Sequence, residues 1–168
     1  MTAAREEILD RIRAALADVP DAPAEADTPI PWDYGQPTGI ADVLDRFEDR
    51  VVDYRAAFER CAPDALADRV VAALLGYEAS SVVLPEGLLA PFADAVAAAG
   101  IEVRRDDPPL SRRELDATSA VVTAAAVGAA ESGTIMLDHG PDQGRRALSL
   151  VPDVHVCIVR ADQVVSDV

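Results

Sequence analysis

The side chains best suited to chemistry in this sequence lie between residues 128 and 150. One polar segment stands between two apolar runs and places a carboxylate, a hydroxyl, a glycine and a second hydroxyl side by side: Glu131, Ser132, Gly133 and Thr134. A basic pair, Arg145 and Arg146, precedes the next apolar run. A polar turn between two strands, with a basic turn near it, is a place where an α/β protein can hold a small anionic ligand.

Two interpretations of the polar segment are open. In the functional one, Glu131 acts as a base or nucleophile, and the amides around Gly133 and Thr134 hold an oxyanion or phosphate. In the structural one, the segment is a tight turn with a solvated Glu131. The basic pair is equally open, because Arg145 and Arg146 either bind a carboxylate or phosphate or balance nearby acids.

Common catalytic motifs are absent from the sequence. The spacing of Gly128 and Gly133 resembles a phosphate loop, but the lysine of that loop is missing and a strand-like run follows it instead of a helix. No GxSxG or HExxH motif occurs. The sequence therefore argues against a nucleotide hydrolase and against the common serine hydrolases and zinc proteases.

The histidines and cysteines do not indicate a metal centre. His139 stands in a Gly/Pro loop and is expected to be exposed, whereas His155 stands in an apolar strand and is expected to be a hydrogen-bonded core residue. Cys61 and Cys157 are far apart and form no CxxC pair, so both are expected to be buried thiols. No iron–sulfur cluster or structural zinc is expected from this chain alone.

The composition excludes several classes of protein. The formal charge is -15 over 168 residues, and all 15 basic residues are arginine. Such a surface has no basic patch for phosphates, so nucleic acid is not expected as a partner. It suits a cytoplasm that holds molar salt, although a GC-rich genome would also favour arginine over lysine. There is no apolar run of about 18 residues and no signal peptide, so we expect a cytoplasmic protein without a membrane span.

The predicted organisation has an N-terminal helix over residues 1–17, a Pro- and acid-rich linker over 18–37 and an α/β domain over 38–168. Apolar residues at helical spacing identify the first helix, which packs either loosely or against a neighbouring subunit. Trp32 and Tyr34 follow the prolines and either form a recognition surface or pin the linker onto the core.

Within the domain, helices and strands alternate. Helices are predicted at about 39–49, 63–75 and 88–99, with a capping box at Ser111–Glu114, while 51–58 fits either a helix or a strand. Strands are predicted at 81–84, 101–104, 120–127, 134–137, 147–150 and 154–159. The long apolar runs imply strands covered on both faces, and hence an α/β fold with a layered sheet flanked by helices.

The chemically suggestive residues also resemble a known family. Ala-Glu-Ser-Gly-Thr at 130–134 is followed by Arg-Ala-Leu-Ser-Leu-Val-Pro at 146–152, then by His155 and by Arg-Ala-Asp-Gln-Val-Val at 160–165. In this order the patterns resemble the core of the LUD domain, the lactate-utilization family, and are most similar to its protein C branch. The segment Val82–Gly87 also fits, and the resemblance covers roughly residues 38–168.

The resemblance implies a NagB/RpiA/CoA-transferase-like fold, which is the fold of sugar-phosphate isomerases and CoA transferases. It also implies an accessory role in oxidising L-lactate to pyruvate beside iron–sulfur partner proteins, which carry the clusters, so that this chain itself binds no cofactor. Glu131, Ser132, Gly133 and Thr134 match the most recognisable turn of the family, and Arg146 and His155 match its second block. A small organic acid or a phosphorylated compound is the expected type of ligand.

The resemblance leaves two alternatives to an accessory subunit. One is a stand-alone enzyme of the sugar-phosphate isomerase or CoA-transferase type with Glu131 as the catalytic residue. The other is a non-catalytic interaction or regulatory module. The family normally continues beyond this point with another helix and a Ser-Gly-Pro-Ser segment, whereas this sequence ends at Val168, so a short branch or a clipped chain is expected.

Overall fold

The computed structural model describes residues 2–19 and 39–167. The chain divides into two compact units, Met1–Gln36 and Pro37–Val168, and each is described by itself. Most of the predicted linker, including Trp32 and Tyr34, lies outside the described residues. In the first unit, helix α1 spans Thr2–Ala15, and the ion pairs Glu7–Arg11 and Asp10–Arg13 support it at i,i+4 and i,i+3 spacing.

The second unit contains seven strands within the described range, arranged in two sheets. Their bounds are β1 (Ser81–Val83), β2 (Glu102–Arg104), β3 (Ala120–Ala124), β4 (Val127–Ala129), β5 (Thr134–Met136), β6 (Val154–Ile158) and β7 (Val164–Val165). The larger sheet is parallel throughout and has the strand order β2-β1-β3-β6. After β1 the chain adds β2 on one side of it and then returns to add β3 on the other side, so the direction in which strands are added reverses at β1.

Two helices cover one face of the larger sheet. Helix α3 spans Leu66–Gly76 and helix α4 spans Glu86–Ala98. Their apolar faces meet the side chains of β1 and β3 that point the same way, such as Val82 and Val122, in a fully buried cluster. Helix α4 ends before Gly100, which adopts the positive φ of +82° that glycine tolerates best.

The opposite face is covered by shorter elements. Helix α5 spans Arg112–Asp116 and begins with the predicted capping box, in which Ser111 and Glu114 each accept a hydrogen bond from the other's backbone. A 3₁₀ helix at Arg146–Ser149 packs beside it. The predicted strand at 147–150 is therefore wrong. Leu148 is fully buried while Leu150 is 65% exposed, and two residues on one face of a strand would not differ in this way.

The smaller sheet has the order β5-β4-β7, with β4 antiparallel to β5 and parallel to β7. Helix α2 spans Val43–Asp53 and covers it with Phe47 and Val51. This helix begins at Asp42, whose carboxylate accepts hydrogen bonds from two backbone amides of the first turn. The ambiguous segment after residue 50 thus continues the helix to Asp53, and the chain turns at Arg55 with a φ of +64°.

The architecture confirms the predicted α/β class, with a parallel sheet flanked by helices. Two details of the prediction are wrong. The apolar run at 120–127 is divided between β3 and β4, in different sheets, because the chain leaves the larger sheet after Ala125. The run at 154–159 is not covered on both faces by the described residues, because the side chains of β6 are only partly buried or exposed.

Candidate functional site

The polar segment forms the hairpin turn between β4 and β5. The Gly133 amide donates to the carbonyl of Ala129 over 2.8 Å, and Gly133 has a φ of +69°. The turn packs tightly on helix α2: a Cβ atom at position 133 would lie 2.8 Å from Cβ of Arg50 and 3.0 Å from its backbone carbonyl carbon. Both the backbone angle and the close approach therefore require glycine.

Glu131 projects beside this turn and pairs with helix α2. Its carboxylate oxygens lie 3.3 and 3.5 Å from Nη2 of Arg46, with 40% of the Glu131 side chain exposed. The Glu131 amide donates to the carbonyl of Ser166 over 3.1 Å, which ties the turn to the segment after β7. The carboxylate is thus held in place and still reachable from solvent.

The two hydroxyls of the turn bond to each other. Ser132 Oγ donates to Thr134 Oγ1 over 2.8 Å, and both residues are exposed. The hairpin therefore offers solvent a carboxylate and a hydroxyl pair on a backbone that a glycine fastens to α2. We call Glu131–Thr134 the hairpin turn.

The basic pair is split between two roles. Arg145 donates from Nε and Nη2 to the two carboxylate oxygens of Asp106, over 2.7 and 3.0 Å, and from Nη2 to the carbonyl of Leu110 over 2.6 Å. Arg146 is exposed and forms no ion pair with any residue in the described ranges. Arg145 thus balances an acid, which is one of the two interpretations that its sequence allowed.

The Asp106 carboxylate is fixed in its ionised form. Burial opposes ionisation, but the hydrogen bonds from the Arg145 side chain and the Leu110 amide outweigh it, so the pKa of Asp106 is lowered. The hydrogen bonds that Arg145 donates to Asp106 also raise the pKa of Arg145. The Arg145 Nη1 group has no acceptor among the residues that the structure describes, so it is the part of the guanidinium left for a ligand.

A groove of about 500 Å³ lies beside this pair. It opens where β1 and β2 end at their carboxyl termini, next to the point where strand order reverses, which is where open parallel sheets hold ligands. Leu84, Pro85 and Leu148 provide its apolar wall. Its polar side is lined by Arg145 and His139 and by three carboxylates, those of Glu86, Asp106 and Asp107.

A well-fastened loop, residues 138–144, forms one side of the groove. Buried Gln143 accepts hydrogen bonds from the amides of Asp138 and His139, over 2.6 and 3.0 Å. The carbonyl of Pro141 accepts from Gly87 over 2.8 Å, where a Cβ would lie only 2.9 Å from that same peptide. The loop holds His139 exposed, as the sequence predicted, with a φ of +64°.

His155 differs from its prediction as a core residue. The residue as a whole is exposed on β6, but the Nε2 edge of its ring lies against the sheet, 2.8 Å from Oγ1 of fully buried Thr123. Partial desolvation of the ring lowers the pKa of His155. Cys157, two residues along, is half-buried, and burial raises the pKa of its thiol, which a hydrogen bond from Thr123 only partly offsets. Cys61 is exposed, so the prediction that both thiols are buried is wrong for it.

The structure does not bring all predicted site residues together. Glu131, Ser132, Gly133 and Thr134 lie on the smaller sheet against α2, whereas Arg145 and Arg146 lie at the groove of the larger sheet. Among the described residues no hydrogen bond or ion pair joins the two sets. There are thus two candidate surfaces, the hairpin turn and the groove.

The sequence interpretation missed the partners of both surfaces. Arg46 and Arg50 support the hairpin turn from a helix more than eighty positions away, and no local pattern indicates that contact. The sequence did contain a signal that Asp106 belongs to a site. Asp106 follows the carboxyl end of strand β2, and the carboxyl ends of parallel strands are where ligand-binding polar groups gather.

Residues 2–19 and 39–167 form neither a metal-binding cluster nor a membrane-spanning helix. These ranges hold no group of three or more His, Cys, Asp or Glu side chains that could bind a metal ion. Nor does any helix there combine the length and apolarity needed to cross a bilayer.

The protein is an α/β domain with two sheets, and its most distinctive segment is the hairpin turn, Glu131–Thr134, which packs against helix α2. Comparison with known proteins places that segment in a family. Residues 89–168 match the LUD domain. The chain is 44% identical over 165 residues to lactate utilization protein C of Deinococcus radiodurans, a match that covers 98% of this chain and 73% of the relative. The chain belongs to the LUD domain family.

A solved structure supports the same relationship. The crystal structure of a DUF162 family protein from Deinococcus radiodurans superimposes with a TM-score of 0.68 at 48% sequence identity. The match covers 75% of this chain and 73% of that one. At this identity the likeness extends beyond the general fold.

Proposed function

We propose that this chain is an accessory component of L-lactate utilization that works beside iron–sulfur partner proteins. The observation that carries the proposal is the 44% identity to a protein named lactate utilization protein C over 98% of this chain. The relative's name supports the pathway. The iron–sulfur partners are what the resemblance to the LUD family implies, and the small number of cysteines in this chain agrees with that arrangement.

The cysteines support a division of labour in which partners carry the redox centres. Iron–sulfur clusters are usually held by four thiolates, and this chain has two cysteines in all. Cys157 is half-buried and the pKa of its thiol is raised, which disfavours the thiolate that a metal requires. In this proposal the chain positions substrate or partner, and the partners transfer the electrons.

The hairpin turn is the surface that we assign to the partner. It carries exposed hydroxyls and a reachable carboxylate on a backbone held by Gly133 and by the Ser166 carbonyl. A rigid polar turn loses little conformational entropy on binding, so it is suited to recognition. The groove beside Arg145 is the corresponding place for a small organic acid, because Nη1 of a pre-oriented arginine can donate to a carboxylate.

Copurification under high salt tests the proposal. Tagged protein is recovered from the source organism grown on L-lactate, and the eluate is examined for iron, sulfide and cysteine-rich proteins. Glu131→Gln is expected to reduce recovery of the partners, since it removes the charge of the hairpin turn. Glu59→Gln is the matched control, because Glu59 forms a comparable exposed ion pair with Arg69 at 2.9 Å, away from the turn.

Growth provides the second arm. A deletion strain should grow poorly on L-lactate as sole carbon source and normally on pyruvate, with rescue by the wild-type gene. Normal growth of the deletion strain on L-lactate would refute the role in the pathway. Poor growth together with a partnerless protein would keep the pathway and refute the accessory arrangement.

The accessibility of Glu131 favours one other function, an enzyme of the CoA-transferase type with a NagB/RpiA/CoA-transferase-like fold. The carboxylate of such an enzyme attacks the acyl-CoA carbonyl and displaces CoA thiolate, which gives an acyl–glutamyl anhydride. The thiolate then attacks the glutamyl carbonyl, which releases the free acid and leaves a glutamyl-CoA thioester. With 40% of its side chain exposed, Glu131 is open to this reaction. Incubation with acyl-CoA followed by borohydride should then reduce Glu131 and change its mass. An unchanged peptide mass after this treatment would remove the transferase.

A further inference from the structure

The carboxylates that line the groove beside Arg145 differ in what they leave open to a ligand. Both oxygens of Asp106 accept hydrogen bonds from the Arg145 side chain, and Oδ1 also accepts from the Leu110 amide over 2.9 Å. Glu86 pairs with Arg105 over 2.9 Å. Two of the three carboxylates at the groove therefore already have a cationic partner.

Asp107 is the third of these carboxylates, and its acceptors are open. It is exposed, it lines the groove, and its side chain forms no ion pair or hydrogen bond with any residue of the ranges that the structure describes. An ionised carboxylate can only accept hydrogen bonds, whereas a guanidinium can only donate them. The groove thus offers acceptors at Asp107 and a donor group at Nη1 of Arg145.

The chain holds these two complementary groups close together. Asp107 follows Asp106 directly, so their Cα atoms lie about 3.8 Å apart. Asp106 in turn binds the guanidinium of Arg145 through Nε over 2.7 Å. A small molecule that carries an acceptor and a donor on neighbouring atoms can therefore reach both groups at once.

We propose that the groove binds a 2-hydroxy carboxylic acid in preference to the corresponding 2-oxo acid. The carboxylate of the ligand accepts from Arg145, and its 2-hydroxyl donates to Asp107. This inference rests on the proposed function, which assigns a small organic acid to the groove. The groove then retains the reduced acid of an oxidation and releases the oxidised one.

The preference follows from the proton that the hydroxyl carries. An oxo oxygen only accepts hydrogen bonds, so next to Asp107 it would place two acceptors against each other without a proton between them. Such an unpaired polar contact lowers affinity more than the absence of a polar group does. His139 does not set the preference, because a neutral imidazole can donate to an oxo group or accept from a hydroxyl.

The apolar wall accounts for the rest of the ligand. Leu84, Pro85 and Leu148 are buried side chains that a short alkyl group can cover. At about 500 Å³ the groove is larger than a three-carbon acid needs, so the polar end defines the class of ligand and the wall accepts different alkyl groups.

Calorimetric titration with three acids tests the preference. The probes are L-lactate, pyruvate and propionate, the last of which has neither a hydroxyl nor an oxo group. At about 2 M KCl, which screens the acidic surface, L-lactate should bind about tenfold more tightly than pyruvate, with propionate between them. Equal dissociation constants for L-lactate and pyruvate, or no binding of L-lactate at up to about 100 mM, would overturn the proposal.

Asp107→Asn locates the preference on one side chain. The amide keeps the shape of the carboxylate but can both donate and accept, so pyruvate should bind as tightly as L-lactate. A purely structural role of Asp107 would weaken both acids alike and leave their ratio unchanged. Asp116→Asn is the matched control, because it removes an equally exposed carboxylate from the end of α5, outside the groove lining.

Arg145→Lys tests the other end of the ligand. It keeps a positive charge beside Asp106 but removes Nη1, so it should weaken all three acids by a similar factor and preserve their order. Circular dichroism verifies that each variant is folded. A folded Asp107→Asn protein that still prefers L-lactate about tenfold, or a folded Arg145→Lys protein with unchanged affinities, would overturn the assignment.

These results are separable from those that test the proposed function. Partner copurification and a growth defect without any preference for L-lactate would refute the groove specificity and keep the role in the pathway. A preference that Asp107→Asn abolishes, in a protein whose deletion leaves growth on L-lactate normal, would support the groove specificity and refute the role in the pathway.

Discussion

Gly133 gives the sharpest test of how the hairpin turn is held. Replacement by alanine introduces two problems together: a φ of +69°, which disfavours any residue with a Cβ, and a Cβ that would lie 2.8 Å from Arg50 Cβ. Three other glycines separate these effects. Gly100 has the positive φ in open space, Gly87 has the collision without the positive φ, and Gly76 has neither.

The expected costs follow from these differences. Gly100→Ala should lower the free energy of unfolding by about 1–2 kcal/mol, because alanine is strained in the left-handed region. Gly87→Ala should lower it by about 1–3 kcal/mol through collision with the peptide between Pro141 and Asp142. Gly133→Ala introduces both the backbone strain and the collision, and should lower the free energy of unfolding by about 2–5 kcal/mol. Gly76→Ala, at the end of α3, should be neutral or stabilising by up to about 1 kcal/mol.

Urea unfolding at a fixed high salt concentration measures all four alanine variants on one scale. The reasoning requires Gly133→Ala to be the most destabilised and Gly76→Ala the least. A Gly133→Ala protein that is as stable as Gly100→Ala would show that the turn does not press on α2 in solution. The close packing of the hairpin turn against α2 would then be refuted. The argument that this turn is a rigid recognition surface would lose its support.

Two further predictions concern the elements around the groove. Leu148→Ala should cost about 2–5 kcal/mol in urea unfolding and Leu150→Ala less than about 0.5 kcal/mol, since the first side chain is fully buried and the second 65% exposed; equal costs would favour the strand at 147–150. Asp106→Asn should cost about 1–2 kcal/mol at pH 7. Because the folded pKa of Asp106 lies below the unfolded value of about 3.9, this contribution is present above that pH and is lost as the pH falls through the folded pKa. Wild-type and Asp106→Asn unfolding curves should therefore converge in acid, and a constant difference would contradict the ion pair with Arg145.

Short-range patterns in the sequence were enough to identify most helices and the family. Hydrophobic periodicity identified most helices, and the capping box needed only two side chains three positions apart, Ser111 and Glu114. The ordered patterns from 130 to 165 were sufficient for the family because they combine specific residues at fixed spacing. Such signals are short-range, so they can be recognised before the chain folds.

The position of each element and the partner of each polar group depend on long-range packing. The run 147–150 has the composition of a strand, but only packing of Leu148 beneath β1 and β3, with Leu150 in solvent, makes it a 3₁₀ helix. The run 154–159 is as apolar as a buried strand, yet among the described strands β6 comes last in the sheet order, because the place of a strand in a sheet depends on long-range pairing and not on composition.

The candidate site shows the same division. Glu131 and Arg145 were both identifiable from the sequence, as were the glycine and hydroxyls of the turn. Their partners Arg46 and Asp106 were not, since they lie 85 and 39 positions away and meet them only after the sheets and helices have packed. Residue types specify what chemistry a segment can do, and long-range packing decides which charges remain available to do it.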